Sequence, residues 1–95
     1  MKKDLLERLE TEVKACKRYA ESSIKKSKEG KTGAAINLLD IAGIAKKCVD
    51  QVHEELWEVS KGNLTDEEFQ LFAESETLDR ELKKAYKELN IARKR

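Results

Sequence analysis

The chain contains no proline. Nothing in its 95 residues therefore removes a backbone donor or drives a ring into a preceding helical turn, so long uninterrupted helices are open to it. Only four residues are glycine and five are aromatic, one Trp, two Tyr and two Phe. Strand-forming residues are scattered, while Ala, Leu, Glu and Lys dominate, which is helix composition. A single histidine, His53, excludes a catalytic or metal cluster built on two imidazoles. Two cysteines, Cys16 and Cys48, stand far apart with no second pair, so neither a disulfide framework nor a zinc site is expected. No apolar run is long enough to span a bilayer; the most apolar stretch, Ala34 to Ala45, is broken by Asn37, Asp40 and Gly43. The start, Met1-Lys2-Lys3-Asp4, turns amphipathic at once and lacks the apolar core of a secretory signal. These absences point to one small all-α domain over residues 1–95. It is expected to be cytoplasmic, with no transmembrane segment, cofactor, metal or catalytic site.

What is present is charge and helical periodicity. Asp, Glu, Lys and Arg make up 41% of the chain. A first helix is predicted from about Asp4 to Glu29, with Leu6, Leu9, Val13, Cys16 and Ala20 at alternating steps of three and four and Leu5, Tyr19 and Ile24 beside them. Gly30 stands where a helix-terminating glycine belongs. A second helix is predicted from about Gly33 to Lys61, with a seam of Leu38, Ile41, Ala45, Cys48, Val52, Leu56 and Val59 and a flank of Ala35, Leu39, Ala42 and Val49. A stripe this wide suits the central helix of a bundle, and also leaves room for a homodimer contact. The third start is the clearest local signal. In Leu64-Thr65-Asp66-Glu67-Glu68-Phe69, Thr65 and Glu68 form a capping box, and Leu64 and Phe69 occupy the two staple positions. From there Leu71, Leu78, Leu82, Ala85, Leu89 and Ala92 carry one continuous seam toward the C-terminus.

Short linkers force antiparallel neighbours, giving an up-down-up three-helix bundle. Residues at one height then have numbers summing to about 63 across the first turn and about 127 across the second. Cys16 and Cys48 are expected to share one buried layer. Gly43 is expected against Ala20, where two small residues would let the helices approach.

The local motifs read mostly as structure. Gly30-Lys31-Thr32 matches the end of a phosphate-binding loop, but Lys25 stands where that loop needs its first glycine, and a helix precedes it rather than a strand. His53 is followed by Glu54-Glu55-Leu56-Trp57 and sits level with Glu10 and Glu74, which suggests a partly covered, carboxylate-paired histidine. The cysteines occupy seam positions, where a thiol acts as a small inert hydrophobe. One stretch resembles a known signature. Ser75-Glu76-Thr77-Leu78-Asp79, following Leu64-Thr65-Asp66, is similar to the Ser-Gln-Glu-Leu-Asp signature of the small sporulation aspartyl-phosphate phosphatases, which are helical hairpins. The resemblance covers Val49 to Leu89, with Glu76 and Thr77 in place of Gln and Glu. It implies a phosphatase-like regulator acting through Ser75 to Asp79.

The charges are sorted by position although the formal net charge is only +1. Residues 25–33 carry Lys25, Lys26, Lys28 and Lys31 against Glu29. Residues 83–95, which the topology brings to the same end, carry Lys83, Lys84, Lys87, Arg93, Lys94 and Arg95 against Glu88. Residues 54–76, at the opposite end, carry eight acidic side chains against Lys61. Helix dipoles account for the bases ending helices one and three, but not for the glutamates ending helix two. Trp57, Phe69 and Phe72 gather at the acidic end. They can close the bundle over Leu5, Leu6 and Leu9, and one left exposed among carboxylates would make a protein-binding anchor. The leading expectation is thus a non-enzymatic, regulatory or bridging module. It would bind an unidentified protein through Trp57, Phe69, Phe72, Glu58 and Glu68. The alternative is polyanion binding, of nucleic acid above all, through Lys25, Lys26, Lys28, Lys31, Arg93, Lys94 and Arg95.

Overall fold

The computed structural model describes residues 2–94 and is an all-α bundle about 49 Å long and 17 Å across. Helix α1 spans Lys2–Lys28 and α2 spans Thr32–Ser60. The third leg is split into α3, Asp66–Glu76, and α4, Leu78–Arg93. Ion pairs fix the directions. Lys2 and Lys17 of α1 meet Glu68 and Glu74 of α3, so these run parallel. Lys46 and His53 of α2 meet Asp79 and Glu76, so α2 runs against the third leg, with numbers summing close to the expected 127. No described helix is long and apolar enough to cross a membrane.

Both turns have local causes. Gly30 adopts φ +79°, and the N–H of Lys31 donates to Lys26 O, closing α1. At the second turn Lys61 (φ 54°) and Gly62 (φ +82°) take left-handed conformations, and the N–H of Lys61 donates to Trp57 O. The capping box forms as read. Glu68 N–H donates to Thr65 Oγ1 at 3.2 Å, and Thr65 N–H donates to Glu68 Oε1 at 2.9 Å. Lys2 clamps this corner by reaching both Glu68 and the carbonyl of Asn63.

The single long third helix expected from the seam is interrupted at Thr77. Ser75 Oγ donates to Phe72 O at 2.6 Å, and Thr77 Oγ1 donates to Glu74 O at 2.7 Å. Hydroxyls that bond carbonyls three residues back compete with the helix ladder. The N–H of Thr77 turns to Glu74 O and α4 restarts at once.

The core joins Leu5, Leu9, Val13, Cys16 and Ala20 to Ala35, Leu39, Ala42, Ala45, Val49, Val52 and Leu56, and to Phe72, Leu78, Ala85 and Leu89. Several seam positions are therefore corrected. On α2, Ile41 and Val59 are exposed, Leu38 and Cys48 half-buried, and Ala35, Leu39, Ala42 and Val49 lie inside. The helix is rotated so that its alanines face its neighbours. Small residues permit close approach, and the bulkier isoleucines stay outside. Cys16 is buried and Cys48 is not, so the two do not share a buried layer. Nothing lies within 4 Å of where a side chain on Gly43 would begin, so this glycine marks no close helix approach to Ala20.

Candidate functional site

The valley between α2 and α3 stays open because α3 leans on α1 more than on α2. It forms a groove of about 580 Å³ lined by His53, Glu54, Trp57 and Glu58 of α2 and by Phe69, Phe72 and Glu76 of α3. His53 and Trp57 are four apart on one helix face, as are Glu54 and Glu58, so α2 presents a ring row beside a carboxylate row. Phe72 is buried and forms the floor. The imidazole of His53 stacks on it, with centroids 3.5 Å apart and planes inclined by 21°. The Trp57 indole tilts over the same ring at 5.6 Å. Trp57 and Phe69 remain 51% and 57% exposed and form the walls. Gly62, in the left-handed region, brings the α2–α3 turn against the indole: a Cβ there would meet Trp57 Cη2 at 3.6 Å.

His53 is the polar group at the base of this groove. Its Nε2 is sealed from solvent and makes no hydrogen bond, and Glu76 Oε1 stands 3.8 Å away. Burial holds the imidazole pKa below its usual value, against the opposing pull of Glu76 and Asp50. Beneath it Lys46 pairs with Asp50 and, at 3.4 Å, with Asp79, so the α3–α4 break is crossed by a small ionic cluster. The expected partners Glu10 and Glu74 are instead taken by Lys14 and Lys17.

The structure brings Trp57, Phe69, Phe72 and Glu58 together, as the sequence suggested, but not Glu68. That carboxylate faces the other way, into the Thr65 cap and Lys2, and the cap's N–H with the ammonium holds its pKa below the usual carboxylate value. Nor do the aromatics close the bundle as a group, since only Phe72 is covered. Sequence reasoning missed His53, Glu54 and Glu76 as groove residues. The helical spacing of His53 and Trp57 carried the signal for the first, whereas Glu76 joins them through the interruption at Thr77.

At the other end, the Lys46–Asp79 pair and equal runs of helix beyond it bring the C-terminus of α4 level with the α1–α2 turn. Lys25, Lys28, Lys31, Arg93 and Lys94 are exposed there; Lys26, half-buried, and Lys31 share Glu29 at 3.6 and 3.8 Å. Arg95 lies outside the described residues. In the signature-like stretch, Ser75 and Leu78 are buried, Glu76 rims the groove and Asp79 faces Lys46. Burial raises the pKa of the Cys16 thiol, which keeps it a poor nucleophile. No protein-family model matches the chain, and no curated protein or solved structure matches it.

Proposed function

We propose that the protein is a non-enzymatic helical module that binds another protein through the α2–α3 groove. The observation that carries this is the exposure of Trp57 and Phe69 on opposite walls of one apolar groove whose floor is already packed. Large aromatics left half in water around a preformed cleft are the anchors and pockets from which interface hot spots are made. The charged lining residues are Glu54, Glu58 and Glu76, so the fitting partner is a basic amphipathic helix. It would insert an apolar side chain between the rings and set lysines or arginines against the rim.

Trp57 is the chain's single tryptophan, so its emission reports occupancy of the groove. Titration with a Lys- and Arg-rich amphipathic peptide should shift that emission to the blue. Phe69→Ala should weaken binding at least tenfold, about 1.4 kcal/mol. Reversing Arg93 and Lys94 to glutamate should leave it unchanged. An unshifted emission together with salt-sensitive binding of random RNA or DNA, lost in the charge reversal, would assign the function to the basic end instead.

A further inference from the structure

Of the five large apolar residues that α2 leaves exposed, Ile41 and Ile44 lie together on one uncharged stripe of the helix. Asn37, Ile41, Ile44, Cys48 and Gln51 recur at alternating steps of four and three and form one stripe on the helix. The stripe carries no charge in a chain that is 41% charged. Ile44 is 63% exposed, the most exposed large hydrophobic among the described residues, and Ile41 is 42% exposed. Beside them on α1, Ala15 and Tyr19 are half-buried against the core. Lower on this side, Leu5 and Arg8 of α1 and Glu55 and Val59 of α2 line a shallow cleft. Lys46 and His53, on the other flank of α2, face the third leg. The stripe therefore lies on the α1–α2 face turned away from α3 and α4.

We propose that this face joins two copies of the chain, antiparallel, about a two-fold axis passing beside Ile44. The arrangement of residues about that position is self-complementary, as an isologous interface requires. With Ile44 opposite Ile44 of the second copy, Ile41 falls opposite Cys48 and Asn37 opposite Gln51. Asp40 and Lys47 border the stripe and pair reciprocally. Glu55 comes level with the turn that carries Lys31, so each acidic end lies along the other copy's basic end. This supplies partner charges for the glutamates of the last turns of α2, which the helix's own dipole disfavours. A parallel pair would set Asp40 on Asp40 and the acidic ends side by side. The two-helix face is about 27 Å long and, at the 17 Å width of the bundle, covers roughly 900 Å² over both copies, the size of a weak, transient interface. The small area keeps the dimer weak, with a dissociation constant on the order of 10–100 µM.

Sedimentation of the full chain from about 1 µM to about 1 mM should show a monomer–dimer equilibrium within this range, weakened by salt. Ile44→Lys should raise the dissociation constant more than tenfold with unchanged circular dichroism, since the side chain is exposed. Trp57→Ala should leave it unchanged, which separates this face from the groove. In a Cys48→Ser background, Ile44→Cys should form an interchain disulfide on mild oxidation. Gln51→Cys should not, because its two copies lie roughly 20 Å apart in the antiparallel pair. A chain monomeric throughout, an Ile44→Lys variant that dimerises as before, or crosslinking through Gln51→Cys equal to that through Ile44→Cys would each overturn the proposal.

Discussion

The two ends of the bundle are built from different material. Toward the α2–α3 turn the core is Leu5, Leu9, Val13, Val52, Leu56, Phe72 and Leu78. Toward the α1–α2 turn it is Ala20, Ser23, Ser27, Ala35, Leu39, Ala42, Ala85 and Leu89. Small residues bring backbones close enough for Ser23 Oγ to donate directly to Ala35 O at 2.8 Å. No space then remains inside for Ile36, Ile41 and Ile44, which stay on the surface. At the other end, where the buried residues are large, α3 leans on α1 more than on α2 and the α2–α3 valley opens into a groove. Each end thus leaves apolar surface outside, by crowding in one case and by gaping in the other.

The largest expected effects test that contrast directly. Leu56→Ala, at a fully buried site of the large-residue end, should lower stability by roughly 2–5 kcal/mol, through lost burial and the cavity left behind. The reciprocal change, Ala42→Leu at the small-residue end, should cost about 1–3 kcal/mol by overpacking. Denaturant melts of both variants check the pair. If Ala42→Leu were tolerated, the close approach of the helices there would be refuted.

The bundle, its directions and the Thr65 cap were legible in the sequence because each rests on local rules: a periodicity, a glycine, a capping box. The rotation of α2 was not. Its N-terminal half is apolar almost all round, so periodicity alone could not choose between Ile41 and Ala42 as the inward residue. Packing chose the alanine. The break at Thr77 was hidden because Leu71, Leu78 and Leu82 keep the helical period across it, while the competing bonds come from the hydroxyls of Ser75 and Thr77. For the site, the trio Trp57, Phe69 and Phe72 was visible as composition. Which rings would be exposed depended on how α3 leans, a tertiary property.

Two smaller effects, of opposite sign, sharpen the comparison. Thr65→Ala should cost about 1 kcal/mol, because it leaves the N–H of Glu68 without its acceptor at the turn that holds the groove wall. Gly43→Ala should instead stabilise the protein by about 0.5–1 kcal/mol. Gly43 is helical, has open space where a methyl would go, and loses more chain entropy on folding than alanine does. Thermal melts resolve both. A destabilised Gly43→Ala would mean that a second copy or another partner closes over the position.

The smallest effect expected is a pH dependence confined to the groove end. Burial lowers the pKa of His53 in the folded chain relative to its ordinary value of 6.5. Between the two values the unfolded chain binds more protons than the folded one, so stability rises with pH there. The stabilising difference is present above about 6.5, is lost as pH falls toward the folded pKa, and changes no further below it. Glu68 shifts down from 4.5, so its own loss comes only below that value. Glu76 and Asp50 favour the protonated imidazole, whereas Lys46 opposes it. Glu76→Gln should therefore lower the folded pKa further and widen the window, and His53→Gln should abolish the dependence above pH 5. Because 27% of the His53 side chain is exposed, the change should be modest and should not unfold the protein. Urea melts at pH 5, 6, 7 and 8 measure it. A stability that rose on acidification through this range, in the parent but not in His53→Gln, would show that Glu76 outweighs burial and that the imidazole is charged in the groove.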